Sequence, residues 1–357
     1  MNDRDSEALL GLFLDRGYSE AEDELQAEVV LVNTCSVRDH AENRAISYAG
    51  TFKKNSPKTI VGIIGCMARN RGQELFKRMH QVKLICGPSS LGKIPSYIDK
   101  IKTENTRILD LDDSLRDEEM YASAFRMEPD HAQVVISTGC SNYCSYCIVP
   151  YVRGKLRLRN PEDIVNEVKR NIDLGIKKIT LLGQNVNDYT FKSPDTSFVD
   201  LLKMVDSLPG IDELSFVTSH PKNTSKDLFE VMAQSEKIKK HLHLPFQSGS
   251  NRILELMHRD YTREKYLQLV ADYKKIVKGH LSTDVIIGYP SETEEDFKGT
   301  RDIIEKVEFK YAYIFKYSPR MRTSSAQIKD DISENDKARR HKIVLDLQKK
   351  ISKAKQN

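Results

Sequence analysis

The chain has 357 residues, of which 39% are hydrophobic and 30% are charged, and its formal net charge is +4. This length predicts two or three domains with sizeable cores, and the composition is typical of a soluble globular protein. The sequence has no apolar run near the roughly 20 residues of a membrane-spanning helix and no signal-peptide pattern, which favours a cytoplasmic protein without membrane contact. The net charge is too small to indicate nucleic-acid binding by itself.

The N-terminal third alternates between helical and extended patterns. The predicted elements, in order, are helix 4–17, strand 28–32, helix 38–54, strand 59–64, helix 71–79 and strand 82–85. This alternation predicts a small parallel α/β domain over residues 1–101. Cys35 and Cys66 each follow a strand directly, at the edge where open α/β sheets bind ligands. Taken singly, each is more typical of a packed free thiol, and we interpret Cys86 as a buried thiol at a strand end.

A polar segment separates this domain from the centre of the chain. Residues 102–127 contain an acidic run formed by Asp110, Asp112, Asp113, Asp117, Glu118 and Glu119. The spacing of these carboxylates does not indicate a site for a hard cation. We therefore interpret residues 102–130 as a connector between two domains.

Three cysteines lie within eight residues in the string TGCSNYCSYC. Cys140, Cys144 and Cys147 follow a predicted strand at 133–137, so they share the loop at its end. Thiolates this close can converge on one soft metal centre. Three ligands leave an open position on a cubane iron–sulfur cluster, whereas a structural zinc site normally has a fourth ligand. The spacing favours the cluster, and a zinc-stabilised RNA-binding module without catalysis is the alternative.

Residues 131–320 repeat a strand–helix pattern six times. Predicted strands are 133–137, 178–182, 213–217, 241–244, 282–287 and 311–316, with helices at 161–173, 198–207, 224–235, 262–278 and 293–307. Such units predict a parallel barrel or an open part of one, with polar strings gathered at the strand ends. For His220 and His243, hydrogen bonding at a strand end explains the position as well as catalysis does. Residues 321–357 predict a helical extension with Ile343, Leu347 and Ile351 on one face.

The CxxxCxxC string, with Tyr146 directly before its last cysteine, resembles the signature of radical S-adenosylmethionine enzymes. The longer string CSYCIVPYVRGKLRLR resembles the methylthiotransferases, which add a CH3S group to a tRNA base or a ribosomal protein side chain. The resemblance implies an N-terminal α/β methylthiotransferase domain followed by a partial (βα)6 barrel. It also implies a [4Fe-4S] cluster on Cys140, Cys144 and Cys147 that cleaves S-adenosylmethionine to a 5′-deoxyadenosyl radical.

The strings VNTCSVRDHAENR and GCMAR resemble two further cysteine motifs of the methylthiotransferases. In that family three cysteines hold an auxiliary [4Fe-4S] cluster, which implies Cys35 and Cys66 as two of its ligands. The family's first cysteine lies in a GCQMN-like string ahead of a helix that contains DSE. This chain begins at Met1-Asn2, within that string, so we expect a clipped start and a third ligand missing from the sequence.

LLGQNVN resembles the segment that holds the methionine end of S-adenosylmethionine, and TSHP, LHLPFQSGS and DVIIGYPSETEEDF are further family-like strings. The resemblance implies cofactor contacts from Tyr146, Gly183, Gln184, Asn185, Ser219, Gln247 and Gly288. GQNVN resembles the members that methylthiolate carbon 2 of isopentenyladenosine beside the tRNA anticodon. The alternatives are action on threonylcarbamoyladenosine in tRNA or on a ribosomal protein, and a radical enzyme without sulfur insertion.

Four basic residues follow the cysteine loop, namely Arg153, Lys155, Arg157 and Arg159. We expect them to contact phosphates of the tRNA anticodon stem-loop, where a base can be splayed out without opening a duplex. The family's RNA-binding β-barrel is not matched before the sequence ends, so we expect weaker tRNA affinity than in relatives that carry it. We also expect an electron donor such as flavodoxin, and a monomer.

Overall fold

The computed structural model describes residues 1–36, 39–112, 121 and 123–355. They form two compact units, which are described separately here. Unit 1 comprises Met1–Pro129 and Ile148–Lys155, and unit 2 comprises Asp130–Cys147 and Leu156–Asn357. The domain boundaries predicted from the sequence place residues 148–155 in the central domain. In the structure the short segment Ile148–Lys155 belongs to unit 1 instead. None of the helices among the described residues combines the length and the apolar character that a membrane crossing requires.

Unit 1 contains a four-stranded parallel sheet in the order β1-β2-β3-β4. Its elements are α1 (Asn2–Leu14), β1 (Val29–Thr34), α2 (Asp39–Asn55), β2 (Ile60–Gly65), α3 (Cys66–Arg78), β3 (Val82–Cys86), α4 (Ile94–Glu104) and β4 (Ile108–Asp110). Five of the six residues of β2 are buried, as expected for a central parallel strand covered on both faces. The sheet confirms the predicted parallel α/β arrangement.

The region predicted as a connector is only partly described. Its first residues complete α4, which ends at Asn105 in a left-handed conformation (φ 50°), and β4 then adds an edge strand to the sheet. Asp110 closes that strand and accepts a hydrogen bond from the Tyr97 hydroxyl. The acidic residues Asp113, Asp117, Glu118 and Glu119 lie outside the described residues.

Unit 2 contains six parallel strands whose spatial order follows the chain. They are β5 (His131–Val135), β8 (Lys178–Leu182), β11 (Glu213–Val217), β12 (His241–His243), β13 (His280–Ile287) and β14 (Tyr311–Lys316). β5, β8 and β11 form one sheet, and β12, β13 and β14 form another. The Leu214 N–H and C=O bond to the backbone of Lys237 and Lys239, which links β11 to the segment before β12. These six strand–helix units confirm the fold class predicted for a partial barrel.

Helices cover one face of these strands. The remaining elements of unit 2 and the short helix of the inserted segment are β6 (Ser137–Thr138), α5 (Val149–Val152), β7 (Arg157–Leu158), α6 (Pro161–Asp173), β9 (Thr190–Lys192), β10 (Asp195–Ser197), α7 (Phe198–Asp206), α8 (Lys226–Gln234), α9 (Asn251–Leu256), α10 (Arg263–Ile276), α11 (Glu294–Val307) and α12 (Glu334–Ala354). Side chains alternate along a strand, so Val134, Leu181 and Leu214 enter the core with the helices. On the opposite face His131, Thr180 and Ser215 form a hydrogen-bonded chain.

The C-terminal helix α12 was predicted to carry Ile343, Leu347 and Ile351 on one apolar face. In the structure Leu347 and Ile351 pack against the core, but Val344 is the fully buried residue and Ile343 is 37% exposed. The predicted apolar face was therefore wrong by one position at its N-terminal end. The reason is that buried polar groups share this face, including Arg340, which bonds to Glu292.

Two backbone segments of unit 2 touch at a pair of glycines. A Cβ added to Gly249, in the loop after β12, would lie 2.2 Å from the Gly299 carbonyl oxygen of α11. We expect Gly249→Ala to destabilise unit 2 by about 1–3 kcal/mol, because the backbones must separate. Gly50→Ala is the matched control, since its Cβ meets nothing within 4 Å in α2 and should stabilise by about 0.5–1 kcal/mol. Thermal unfolding measures both, and an unchanged melting temperature for Gly249→Ala would contradict this close approach.

Candidate functional site

The three-cysteine loop follows β5 and β6 in unit 2. β6 pairs antiparallel with β7, so the segments before and after the loop region are joined in a two-stranded sheet. Gly139 (φ 74°), directly before Cys140, and Tyr143 (φ 46°), directly before Cys144, adopt left-handed backbone conformations, which turn the chain sharply next to these two thiols. Cys144 is buried, whereas Cys140 and Cys147 are half-buried. All three are free thiols on one short loop, as the spacing predicts.

The three thiols of this loop have the donor chemistry of an iron–sulfur cluster site. Within the described ranges, no group of three or more His, Cys, Asp or Glu side chains is spaced to hold one metal ion. A cubane cluster is larger than one ion and holds its cysteine sulfurs farther apart. Cysteine thiolates are the ligands that hold such clusters. The assignment of Cys140, Cys144 and Cys147 as ligands stays a prediction.

A buried arginine contacts the loop, and the sequence analysis missed it. Arg259 is 5% exposed, and its Nη1 donates to the Cys144 Sγ at 3.4 Å and to the Tyr146 hydroxyl at 3.5 Å. Its Nη2 donates to the Pro245 carbonyl at 3.1 Å. Among the described side chains no carboxylate pairs with this guanidinium. The sequence offered one signal, the string HRD, whose central residue is Arg259. His and Asp tolerate a left-handed backbone, and His258 (φ 54°) and Asp260 (φ 53°) both adopt it, so this string indicated an unusual backbone on either side of the arginine.

Several buried polar atoms at the strand ends of unit 2 have no hydrogen-bond partner among the described residues. They are the Ser137 Oγ, Gln184 Oε1, Asn185 Oδ1, Ser219 Oγ and His220 Nε2. They follow β5, β8 and β11, and each orphaned atom costs roughly 1–3 kcal/mol unless a ligand satisfies it. Such a concentration at one sheet edge indicates a site for a polar ligand.

Two neighbouring residues, Gly183 and Asn187, help to position these unpaired side-chain atoms. A Cβ on Gly183 would lie 2.5 Å from the Ser137 Oγ, so only glycine lets the strand ends approach this closely. By contrast, both polar atoms of the Asn187 side chain form hydrogen bonds. Its Nδ2 donates to the His220 carbonyl and the Thr224 hydroxyl, and its Oδ1 accepts the His220 N–H. Asn187 therefore fixes the loop, while Asn185 beside it keeps an unpaired oxygen.

The other predicted cofactor contacts have mixed surroundings. Tyr146 is half-buried against Arg259, and burial raises the pKa of its hydroxyl. Gln247 has a left-handed backbone (φ 62°) and pairs with β13 through Val285. The Gly288 N–H is already bonded to the Glu292 carboxylate at 2.9 Å.

His220 stays neutral in the folded protein. Its Nδ1 accepts the Lys222 N–H at 3.1 Å, and burial, followed by Arg259 and Lys222, lowers its pKa to about 2. The unfolded chain binds a proton here below its ordinary pKa of about 6.5, whereas the folded chain does not. We expect stability to fall as the pH drops below that value, by up to about 1.4 kcal/mol per pH unit.

The variant His220→Gln isolates this contribution, because other titrating groups are common to both proteins. We expect the urea midpoint of the variant to depend less steeply on pH than that of the wild type between about pH 7 and about pH 5. Parallel pH profiles for the two proteins would contradict a neutral, buried imidazole.

Two of the four basic residues predicted to contact tRNA phosphates are buried ion-pair partners instead. In unit 1, Arg153 donates to the Asp5 carboxylate at 2.8 Å, and in unit 2, Arg159 donates to Glu167 at 2.6 Å. The phosphate-binding prediction is therefore wrong for both. Their charges are already neutralised away from solvent. Lys155 is exposed and Arg157 is half-buried, so these two residues keep that prediction.

In unit 1, Cys35 and Cys66 follow β1 and β2, which are adjacent strands in the same register. Cys66 is buried as the first residue of α3, packs against Ile148 and Val152, and receives a hydrogen bond from Arg153. Burial raises the pKa of the Cys66 thiol, Arg153 lowers it, and the nearby Cys35 raises it. The sheet therefore brings the two predicted ligands together. Cys86 is fully buried, and its thiol contacts backbone carbonyls, as predicted.

Comparisons with known proteins agree with these observations. The Radical SAM superfamily matches residues 134–304, and the Uncharacterized protein family UPF0004 matches residues 1–87. One solved structure, the radical S-adenosylmethionine methyltransferase TsrM from Kitasatospora setae, superposes with a TM-score of 0.65 at 13% identity, covering 90% of this chain and 70% of that chain. At this identity the likeness supports the fold alone.

Three curated relatives with high similarity share the name tRNA-2-methylthio-N(6)-dimethylallyladenosine synthase. The Acetivibrio thermocellus protein is 42% identical over 360 residues, which cover 99% of this chain and 75% of the relative. The proteins from Moorella thermoacetica (40% identical, 99% and 82% covered) and Clostridium botulinum (39% identical, 100% and 81% covered) are similar matches. With this identity over nearly its whole length, the chain belongs to the tRNA-2-methylthio-N(6)-dimethylallyladenosine synthase family of the radical SAM superfamily.

Proposed function

We propose that this protein adds a methylthio group to carbon 2 of the adenine of dimethylallyladenosine in tRNA. This reaction is the one given in the names of the curated relatives, whose sequences align with almost the entire chain. The observation that carries the proposal is the set of orphaned polar atoms that follow β5, β8 and β11, at the same strand ends as the three-cysteine loop. This arrangement has the donors and acceptors that a zwitterionic cofactor requires.

In unit 2, Cys140, Cys144 and Cys147 would hold a [4Fe-4S] cluster whose fourth iron position is open. When bound, this cluster and S-adenosylmethionine supply a 5′-deoxyadenosyl radical on one-electron reduction. The chain's own residues bind and orient. Buried Cys144 is held by Arg259, and the turns at Gly139 and Tyr143 aim the thiols from one loop.

The orphaned atoms divide by chemistry into acceptors and donors. The Gln184 and Asn185 side-chain oxygens are acceptors, suited to the ammonium group of S-adenosylmethionine. The Ser219 hydroxyl and the His220 Nε2–H are donors, suited to its carboxylate or ribose. The His220 assignment follows from the Nδ1, which accepts a backbone N–H and so leaves the proton on Nε2. Tyr146, Gly183, Gln247 and Gly288 complete the proposed cofactor site.

In unit 1, Cys35 and Cys66 would hold a second, auxiliary [4Fe-4S] cluster that provides the sulfur. Support comes from the adjacent ends of β1 and β2 and from the position of Cys66 at the start of a 13-residue helix, whose dipole acts against the burial that raises the pKa of this thiol. Arg153 adds a positive charge beside Cys66. The third ligand implied by the family is not matched in this sequence.

The proposed RNA contacts are now limited to Lys155 and Arg157, whose side chains reach the surface. Phosphate contacts of this kind would position an anticodon stem-loop without reading its sequence. We further propose that a flavodoxin-like protein delivers the electron, that the chain acts as a monomer and that it works in the cytoplasm.

The test is an anaerobic reaction of the reconstituted protein with S-adenosylmethionine, a one-electron reductant and tRNA. We expect 2-methylthio product, detected by mass spectrometry of nucleosides, from tRNA that carries dimethylallyladenosine and none from the same tRNA without the dimethylallyl group. Product from threonylcarbamoyladenosine tRNA alone would overturn the substrate assignment. 5′-Deoxyadenosine without any methylthio product would indicate a radical enzyme that does not insert sulfur.

A further inference from the structure

Arg259 presents an electrostatic problem that the protein alone does not solve. Its guanidinium is 5% exposed, and within the described part of the chain no carboxylate neutralises it. Asp260, the next residue, pairs with Lys222 at 2.7 Å instead. A buried cation without a counter-charge is strongly unfavourable, because it has lost its hydration and gained no ion-pair partner. The site must therefore receive negative charge when it is complete.

The surroundings fix where that negative charge has to lie. Arg259 Nε donates to the Tyr261 hydroxyl at 3.3 Å, and Nη2 donates to the Pro245 carbonyl, so two sides of the guanidinium are held by neutral groups. The remaining side, Nη1, faces the Cys144 Sγ at 3.4 Å. Cys144 is also the most buried of the three thiols in its loop.

We propose that Arg259 is a positioning residue that donates a charged N–H···S hydrogen bond to Cys144 in the loaded protein and thereby raises the reduction potential of the [4Fe-4S] cluster. The proposal rests on the proposed function, because it takes the three-cysteine loop as the cluster site. Hydrogen bonds to cluster sulfurs and nearby positive charge both favour the reduced, more negative state. In that step the cluster takes up one electron from an external low-potential donor, and no covalent bond forms or breaks.

A purely structural role makes a different prediction. If Arg259 only joined the cysteine loop to the loop after β12, any variant that kept the fold would keep the potential. If its charge acts on the cluster, Arg259→Lys should preserve most of the effect and Arg259→Gln should lose it. Arg301→Gln is the matched control, since Arg301 is an exposed residue of α11 paired with Glu305.

The experiment is a redox titration of the cluster, followed by electron paramagnetic resonance. All proteins carry Cys35→Ala and Cys66→Ala, so that only the cluster of unit 2 contributes. We expect Arg259→Gln to lower the equilibrium constant for one-electron reduction about tenfold, a potential about 59 mV more negative. Arg259→Lys should shift by less than half as much, and Arg301→Gln should match the background protein.

Iron content resolves the case in which a variant binds its cluster poorly. Loss of iron in Arg259→Gln with near-normal iron and potential in Arg259→Lys supports the proposal, because charge is then what the site requires. An unchanged potential in Arg259→Gln, equal shifts in both variants, or equal loss of iron in both would overturn it. Failure of the proposed function is distinguishable, since the background protein itself would then show no cluster signal that depends on Cys140, Cys144 and Cys147.

Discussion

Replacing Cys140, Cys144 and Cys147 with alanine is expected to abolish cleavage of S-adenosylmethionine. The three thiols share one loop and are the proposed cluster ligands, so their loss would remove the site at which we propose that the cofactor is reduced. Anaerobic reconstitution should give protein with about four fewer irons per chain, as expected for the loss of one cubane cluster. 5′-Deoxyadenosine formation, measured by chromatography, should fall to the level of protein-free controls.

Cys86→Ala is the control for this experiment. The Cys86 thiol is fully buried at the end of β3 and donates to the Gly87 and Ser90 carbonyls, so the variant should retain wild-type iron and activity. The cost should be limited to a small cavity in unit 1. Unchanged iron content and 5′-deoxyadenosine in the triple variant would contradict the assignment of the loop.

Replacing Arg153 with methionine is expected to destabilise unit 1 by about 3–5 kcal/mol. The change removes one member of the buried ion pair between Arg153 and Asp5, and breaking a buried ion pair from one side carries a penalty of this size. Chemical denaturation followed by circular dichroism measures the loss. The double variant Asp5→Asn, Arg153→Met should recover part of it, because both charges are then removed together.

Lys155→Met separates stability from RNA binding in the same segment. Lys155 is exposed, so this variant should keep the wild-type unfolding midpoint while the salt dependence of tRNA binding falls by about one phosphate contact. If Arg153→Met instead kept full stability and weakened tRNA binding as Lys155→Met does, the buried ion pair would be the wrong description. The phosphate role inferred from the sequence would then be right.

The sequence predicted the elements well because local patterns determine them. Strands 178–182, 213–217 and 311–316 occur within the predicted bounds, since each is a short apolar run that ends at a polar turn. The three-cysteine loop was equally predictable from the sequence, because all of its predicted ligands lie within eight residues. Spacing along the chain carries this kind of information.

Long-range partners account for what the sequence did not reveal. Arg153 was interpreted as a surface cation because its neighbours are basic, but its partner Asp5 lies 148 residues earlier. Arg259 was overlooked because its partner Cys144 is 115 residues away along the chain. Charge and spacing describe a segment alone, whereas the fold decides which side chains leave solvent.

We propose that the two cysteine sets divide the reaction, with radical formation in unit 2 and sulfur supply in unit 1. The most direct measurement compares wild type with Cys35→Ala, Cys66→Ala protein, quantifying 5′-deoxyadenosine and methylthiolated tRNA from the same anaerobic reaction. The account predicts that the double variant still forms 5′-deoxyadenosine but gives no methylthio product. Methylthio product from the double variant at the wild-type level would contradict it.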